Sequence, residues 1–212
     1  RVDRAGVERG PAGGFADYEE KSLLLTEKAT AALQAFGRQH QLTLNTLVQG
    51  AWAILLSHYS GEQDIIFGTT VSGRSAPLPG IDQMLGVFIN TLPLRTEVPK
   101  ESTVLRFLRA LQDRHAEIRE YEYTPFAEVQ GYGEVPRGLP LFESIIVFEN
   151  YPLDRSTVSP KTGIGVRDLK SVVRNNFPIT LLCAPAQQLP FRLAYDKRRF
   201  EGEAMDRLLA HL

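Results

Sequence analysis

The apolar positions of this chain fall into distinct periods after a first stretch that has none. RVDRAGVERGPAGG (1–14) is rich in Gly, Pro and charge and has no repeating apolar face. Residues 1–17 therefore read as a linker, as if the chain were cut from a longer polypeptide, and the folded part is expected from 18 to 212. TEKATAALQAFGRQH predicts a helix, with Thr26 as N-cap, Glu27 in the first turn, and Ala29, Leu33, Phe36 and His40 at helical spacing. TLNTLVQGAWAILLSHYSG predicts a second helix, capped by Thr43 and closed by Gly61, that is apolar on nearly every side and so belongs in a core.

The period then changes. Ile65-Ile66-Phe67 runs on through Gly68, Thr69, Thr70 and Val71 and stops at Ser72-Gly73-Arg74, which predicts a buried strand that delivers an arginine at its carboxyl end. APLPGIDQMLG reads as a loop. VFINTLPLRTEV reads as a strand whose Pro93 argues for an edge, an end or a bulge. In STVLRFLRALQDRHAEIREY, Val104, Phe107, Leu108, Leu111, His115 and Ile118 make one stripe with Arg106, Arg109, Asp113 and Glu117 opposite, the pattern of an amphipathic helix. Strands follow at FESIIVFEN, GIGVRDLKSVV, PITLLCA and PFRLAYD, and a short helix through Ala204, Leu208 and Leu212 closes the chain. Helices first, then strands mixed with helices, then a strand-rich end predict an α/β protein: a mixed β-sheet packed with helices as a two-layer sandwich.

Composition narrows the function classes. The 212 residues are 43% apolar and 23% charged with a formal charge of −1, so the chain has a core to bury and no basic footprint for nucleic acid. The cluster Lys197-Arg198-Arg199 is too short to act as an interaction tail and reads as a solvated turn. A single cysteine, Cys183, excludes an internal disulfide, reads as a small core residue, and fits a reducing cytosol. No apolar run is long enough to span a bilayer, and no signal peptide opens the chain.

Candidate chemistry is sparse. The four histidines, His40, His58, His115 and His211, all fall on predicted helices without a second histidine at ligand spacing, which argues against a metal site. His115 lies on an apolar stripe and reads as a satisfied core histidine. No G-x-S-x-G elbow and no phosphate-cradling P-loop occurs. Glu19 and Glu20 read as solvated surface acids. The residues taken alone contain no active site. Arg74, at a strand end where α/β proteins commonly build sites, is the group left to explain.

Three stretches, in order, resemble the C-terminal half of a condensation domain from non-ribosomal peptide synthetases. QDIIFGTTVSGR (63–74) is similar to the family's strand ending in Gly-Arg. MLGVFINTLPLR (84–95) resembles its G-x-F-V-N-T-x-x-x-R motif at Gly86, Phe88, Asn90, Thr91 and Arg95. LPLFESIIVFENYP (139–152) is similar to its N-P-L-F-D run and F-E-N-Y-P ending. RNNFPITL and EAMDRLLAHL add weaker likeness. The chain departs from the family at YEYTPFA (121–127), where H-Q-D-Y-P-F-E is usual, and at Gly138-Leu139, where Arg-Asn is usual. The H-H-x-x-x-D-G signature, which the family carries in its amino-terminal lobe, is missing.

The resemblance implies one lobe of a chloramphenicol-acetyltransferase-like α/β fold, with the catalytic histidine on the other lobe. It implies amide formation between a donor thioester and an acceptor amine, both tethered to peptidyl carrier proteins. No cofactor is bound directly: the 4'-phosphopantetheine arms of those carriers enter a tunnel between the lobes. Implied partners are donor and acceptor carriers, the N-terminal lobe and a neighbouring adenylation domain, with no nucleic acid and no membrane. By motif position Arg74 is the arginine that holds the signature's aspartate across the lobe interface. Asn90 and Thr91 either line the tunnel or hold a local turn. Gly86 permits close backbone approach, and Phe88, Ser144 and Ile146 are expected along the tunnel wall. Two alternatives belong to the same superfamily: an inactive platform that recruits a tailoring enzyme to a carrier-bound peptide, and an epimerisation domain.

Overall fold

Threonine caps set the helical part of the fold. The Thr26 hydroxyl accepts the Ala29 N–H at 3.2 Å and starts α1 (Glu27–His40), and Thr43 accepts the Thr46 N–H at 3.0 Å and starts α2 (Leu44–Ser60). Gly61, at φ 76°, closes α2 by donating its N–H to the Ser57 carbonyl. Thr103 likewise caps α3 (Val104–Arg119). Gln112 on α3 ties down the α1–α2 corner: its Oε1 accepts from the Thr43 N–H and the Thr46 hydroxyl, and its Nε2 donates to the Gln41 carbonyl, each at 2.9 Å. The structure is a computed structural model and describes residues 17–75, 78–133, 135–136, 138–149 and 176–212.

Six strands form one mixed sheet. They are β1 (Tyr18–Leu24), β2 (Asp64–Val71), β3 (Asn90–Glu97), β4 (Ser144–Phe148), β5 (Ile179–Cys183) and β6 (Pro190–Asp196), in the order β1-β6-β5-β4-β2-β3. The β2–β4 and β4–β5 pairs are parallel and the others antiparallel. Alternation sorts their side chains onto two faces. A short helix, α4 (Phe126–Tyr132), lies between α3 and β4, and α5 (Gly202–His211) closes the chain. Ile65, Phe67, Leu94, Ile146, Leu181, Leu193 and Tyr195 form one core with Trp52 of α2, Leu111 of α3 and Met205 and Leu208 of α5. Leu33 of α1 packs against that core. The other face carries Gly68, Ile145 and a cluster of three rings, Phe126, Phe142 and Phe177, with centroids 5.2–6.3 Å apart.

Pro93 lies on β3, the sheet edge, where a residue without an N–H is tolerated. Cys183 is buried in β5, and burial pushes its thiol up to about 12. Among the described residues no helix is long and apolar enough to cross a membrane.

The structure corrects several expectations. No period in the sequence predicts β1: YEEKSLL shows little apolar alternation, and its strand character comes from pairing with β6, reinforced by Arg192 donating to both carboxylate oxygens of Glu20 at 2.7 and 2.6 Å. Glu20 is thus paired, not merely solvated. Nor does any cap signal predict α4, which follows Pro125 with no side-chain cap. The strand expected from Val87 begins only at Asn90, and Val104 leaves the apolar stripe of α3 for solvent. Phe36 is exposed beside His40, and Ile54 and Tyr59 show that α2 has an outer side. In the basic turn, Arg198 binds the Asp196 carboxylate through Nε at 2.9 Å and Nη2 at 2.6 Å, and Arg199 reaches Glu143 at 2.8 Å. The strand expected at GIGVRDLKSVV lies outside the described residues.

Two positions in this fold bear directly on stability. A Cβ on Gly68 would stand 2.4 Å from Phe142 Cε2 and 2.6 Å from Ile145 Cγ2. Gly68→Ala is therefore expected to destabilise the fold by about 1–3 kcal/mol through overpacking, read as a lower denaturant midpoint at unchanged slope. His115 is half-buried and not satisfied: its buried Nε2 has no hydrogen-bond partner, and desolvation, then the Arg119 charge, lower its pKa to about 4. The folded value lies below the unfolded one near 6.5, so at neutral pH this ring contributes no pH dependence. Between pH 6.5 and 4 the unfolded chain takes up a proton that the native state refuses, and stability falls with pH. His115→Leu should remove that slope, a difference approaching about 3 kcal/mol by pH 4 in chemical denaturation across the range.

Candidate functional site

The carboxyl end of β2, the amino end of β3 and the α3–α4 connection meet at one corner of the sheet. Asn90, the first residue of β3, makes the junction. Its Nδ2 donates to the Glu122 carbonyl at 3.0 Å and to the Thr124 carbonyl at 2.7 Å, and its Oδ1 accepts the Thr91 N–H at 2.9 Å. The carboxamide thus ties the start of β3 to the α3–α4 connection, more than thirty residues away along the chain. Asn90 and Thr91 also border a cleft of about 380 Å³ walled by Phe126, Phe142 and Phe177 and carrying the amides of Gln130 and Asn176.

Above the same corner runs the loop Ser72–Ser75. Gly73 adopts φ 68°, and a Cβ there would stand 1.8 Å from the Phe88 carbonyl oxygen, so only glycine fits. This contact, unmarked by any sequence period, joins the first two motif stretches. Arg74 then folds back over the 78–89 segment. Its Nη1 donates to the Ile81 carbonyl, its Nη2 to the Met84 carbonyl at 3.1 Å, and its Cζ stands 4.2 Å above the centre of the Phe88 ring. Among the described residues no carboxylate pairs with Arg74.

Phe88, expected along a tunnel wall, instead supports the guanidinium. Gly86 is exposed at φ 154°, and a Cβ there would meet the Phe88 ring at 3.3 Å. The backbone does pass close at this point, but to the chain's own ring.

Two expectations for the wall are overturned. Ser144 is buried and accepts the Trp52 Nε1–H at 3.4 Å, and Ile146 is 0% exposed in the core beneath the helices. Both share the helix-facing side of β4, so neither lines the cleft. Arg95, the last motif residue, pairs with Asp64 across β2–β3 through Nε at 2.9 Å, and that donor holds the Asp64 carboxyl below its usual value.

A residue that no sequence signal marks completes the corner. Glu122, inside YEYTPFA, is 2% exposed: one carboxylate oxygen accepts the Ser75 N–H and the other has no hydrogen-bond partner. Arg119 reaches the Ser75 hydroxyl with Nη2 at 3.0 Å and stands 3.8 Å from Glu122 with Nε. Nothing in a stretch of aromatic and acidic residues after an amphipathic helix signals which acid turns inward. Around the corner the surface is apolar, with Leu85 and Val87 almost fully exposed and Leu78, Met84 and Ile89 exposed as well. Among the described residues no cluster of His, Cys, Asp and Glu is arranged to hold a metal.

Known proteins share both this sequence pattern and this fold. The family model "Condensation domain" matches residues 7–212, beginning inside the stretch read as a linker. A linear gramicidin synthase protein of Brevibacillus parabrevis is 50% identical over 201 residues, 91% of this chain and 4% of the synthase. A second linear gramicidin synthase protein from the same organism is 48% identical over 207 residues, 98% of this chain and again 4% of that protein. The chain therefore spans a small part of the curated relatives it matches. A four-domain nonribosomal peptide synthetase, solved in its holo form with AMP and glycine, superposes with a TM-score of 0.78 at 19% identity, over 94% of this chain and 16% of that one. The X-domain from teicoplanin biosynthesis, solved with OxyB, superposes at 0.74 and 20% identity, over 96% and 48%. With a mixed six-stranded sheet of the same architecture and the family's pattern over nearly all its length, the chain belongs to the condensation-domain family.

Proposed function

We propose that residues 18–212 are the C-terminal lobe of a nonribosomal peptide synthetase condensation domain and that the catalytic histidine stands on a facing N-terminal lobe. One observation carries this reading: a half-buried cation whose partners among the described residues are all neutral sits at the rim of an exposed apolar surface. Arg74 holds two backbone carbonyls and a ring, none of which cancels its charge. Leu85, Val87 and Ile89 beside it face solvent. An apolar patch of this kind marks a contact surface, and a carboxylate presented by a facing lobe would meet a guanidinium already oriented for it.

In the proposed reaction the acceptor amine attacks the carbonyl carbon of the donor thioester. A C–N bond forms, the C–S bond breaks, and the amine proton passes to the departing thiolate, which leaves as the thiol. Holding both tethered reactants in register removes up to roughly 7–11 kcal/mol of the barrier. This chain supplies orientation and wall. Its histidines lie on helices: His40 packs at a tilt against Phe36, His211 meets Tyr59 at 3.0 Å, and His115 is half-buried on α3. The 4'-phosphopantetheine arms belong to donor and acceptor carrier proteins and deliver the reacting thioesters. The cleft bordered by Thr91, Gln130 and Asn176 suits their neutral, amide-bearing chain, since its lining offers amide and hydroxyl groups and no charge. An adenylation domain would load those carriers, in the cytoplasm. The chain by itself is expected to form no amide.

In the intact two-lobe protein, Arg74→Ala should lower stability by roughly 3–5 kcal/mol, the cost of stranding one partner of a buried pair, and should depress amide formation. Arg74→Lys, which keeps the charge but loses the planar fork, should recover only part of both. Melting and mass-spectrometric detection of the carrier-bound product measure the two effects. Wild-type values for Arg74→Ala in both would sink the reading.

A further inference from the structure

Glu122 and Asp196 are the two buried acids among the described residues, and they are treated differently. Asp196 receives the Arg198 N–H at 2.9 Å and its guanidinium at 2.9 and 2.6 Å. The Glu122 carboxylate receives one hydrogen bond, from the Ser75 N–H. Its second oxygen has no hydrogen bond and meets only a long ion pair, with Arg119, which is 51% exposed and stands 3.8 Å away through Nε. Burying a carboxylate so poorly served costs stability, and an apolar side chain of the same volume would serve the fold at least as well. What the carboxylate does hold is specific: the amide of Ser75, the residue that follows Arg74.

The geometry around that bond is two-sided. Gly73 is pressed onto the Phe88 carbonyl on one flank, and Ser75 is bound to Glu122 on the other. Glu122 is itself immobilised, because its own carbonyl accepts from Asn90 at 3.0 Å. The backbone of Arg74 is thereby clamped between two fixed points while its guanidinium rests on carbonyls and a ring. We infer that Glu122 is a positioning residue for Arg74, holding the 72–75 loop so that the guanidinium is presented to the facing lobe. The inference rests on the reading of Arg74 given above.

The test uses the full-length protein, loaded by its own adenylation domains, with product on the acceptor carrier read by intact-protein mass spectrometry. Glu122→Met should melt at or above the wild-type temperature yet lose amide formation by about 10- to 100-fold, the scale of a misplaced positioning group. Glu122→Gln keeps an acceptor for the Ser75 N–H and should stay within a few-fold of wild type. In an Arg74→Ala background, Glu122→Met should cost nothing more. Losses that multiply in the double variant, a Glu122→Met protein that fails to fold, or a Glu122→Gln as poor as Glu122→Met would each overturn the inference. A silent Arg74→Ala would instead strike the lobe reading itself, and the inference with it.

Discussion

Asn90 gives both hydrogens of its carboxamide to the carbonyls of Glu122 and Thr124, and the geometry of the corner depends on those two bonds. β3 is an edge strand, so its first residue has no outer neighbour to hold it. α3 packs on the helix-covered face, through Leu108 and Leu111. Phe126, beyond the closing turn of α3, packs with Phe142 on the opposite face. The connection between them has to round the edge of the sheet at the point where Asn90 stands. A carboxamide at that point supplies two donors to a segment whose carbonyls lie outside any ladder, satisfying groups that would otherwise go unpaired. With the connection fixed, the side chain of Glu122 and the ring of Phe126 point to opposite tasks, one toward the Arg74 loop and one into the aromatic cluster.

The two faces of the sheet on either side of that connection are held in different ways. The helix-covered face is filled with aliphatic and aromatic side chains, and Gln49 Nε2 to the Thr69 hydroxyl at 2.9 Å and Trp52 Nε1 to Ser144 fix how α2 lies on β2 and β4. The other face is filled by three phenylalanine rings over Gly68, where the missing Cβ lets a ring approach the strand. Offset and tilted rings of this kind form a rigid wall, and the cleft beside them is bounded by amide side chains and the start of β3.

Much of this is legible in the sequence because caps and periods are local. Thr26, Thr43 and Gly61 announce two helices through hydrogen bonds spanning a few residues, an apolar stripe announces a third, and Pro93, which lacks a donor, restricts its strand to an edge, an end or a bulge. What is not legible depends on partners distant along the chain. β1 is a strand because β6 lies beside it. The family resemblance puts Ser144 and Ile146 on a tunnel wall, yet in SIIVF alternation says only that those two share a face, and the apolar residues around them leave the choice of face open. The long-range contact with Trp52 decides it. Glu122 offers the same lesson from the polar side: one acid in a run of tyrosines turns inward, and only the Ser75 amide, 47 residues away, says which.

The treatment of Arg74 follows from how charges are held in this fold. Where it needs a cation neutralised it supplies a carboxylate in a forked geometry, as at Arg95 with Asp64, Arg192 with Glu20 and Arg198 with Asp196. At Arg74 the acid built into the same corner, Glu122, is spent on a backbone amide. The guanidinium is given carbonyl oxygens and a ring face, which orient a planar cation without removing its charge. A group so arranged is fixed in direction and still seeks an anion. The residues around it, exposed and apolar, would leave that pair dry once a partner closed over them, where an ion pair is worth more than in water.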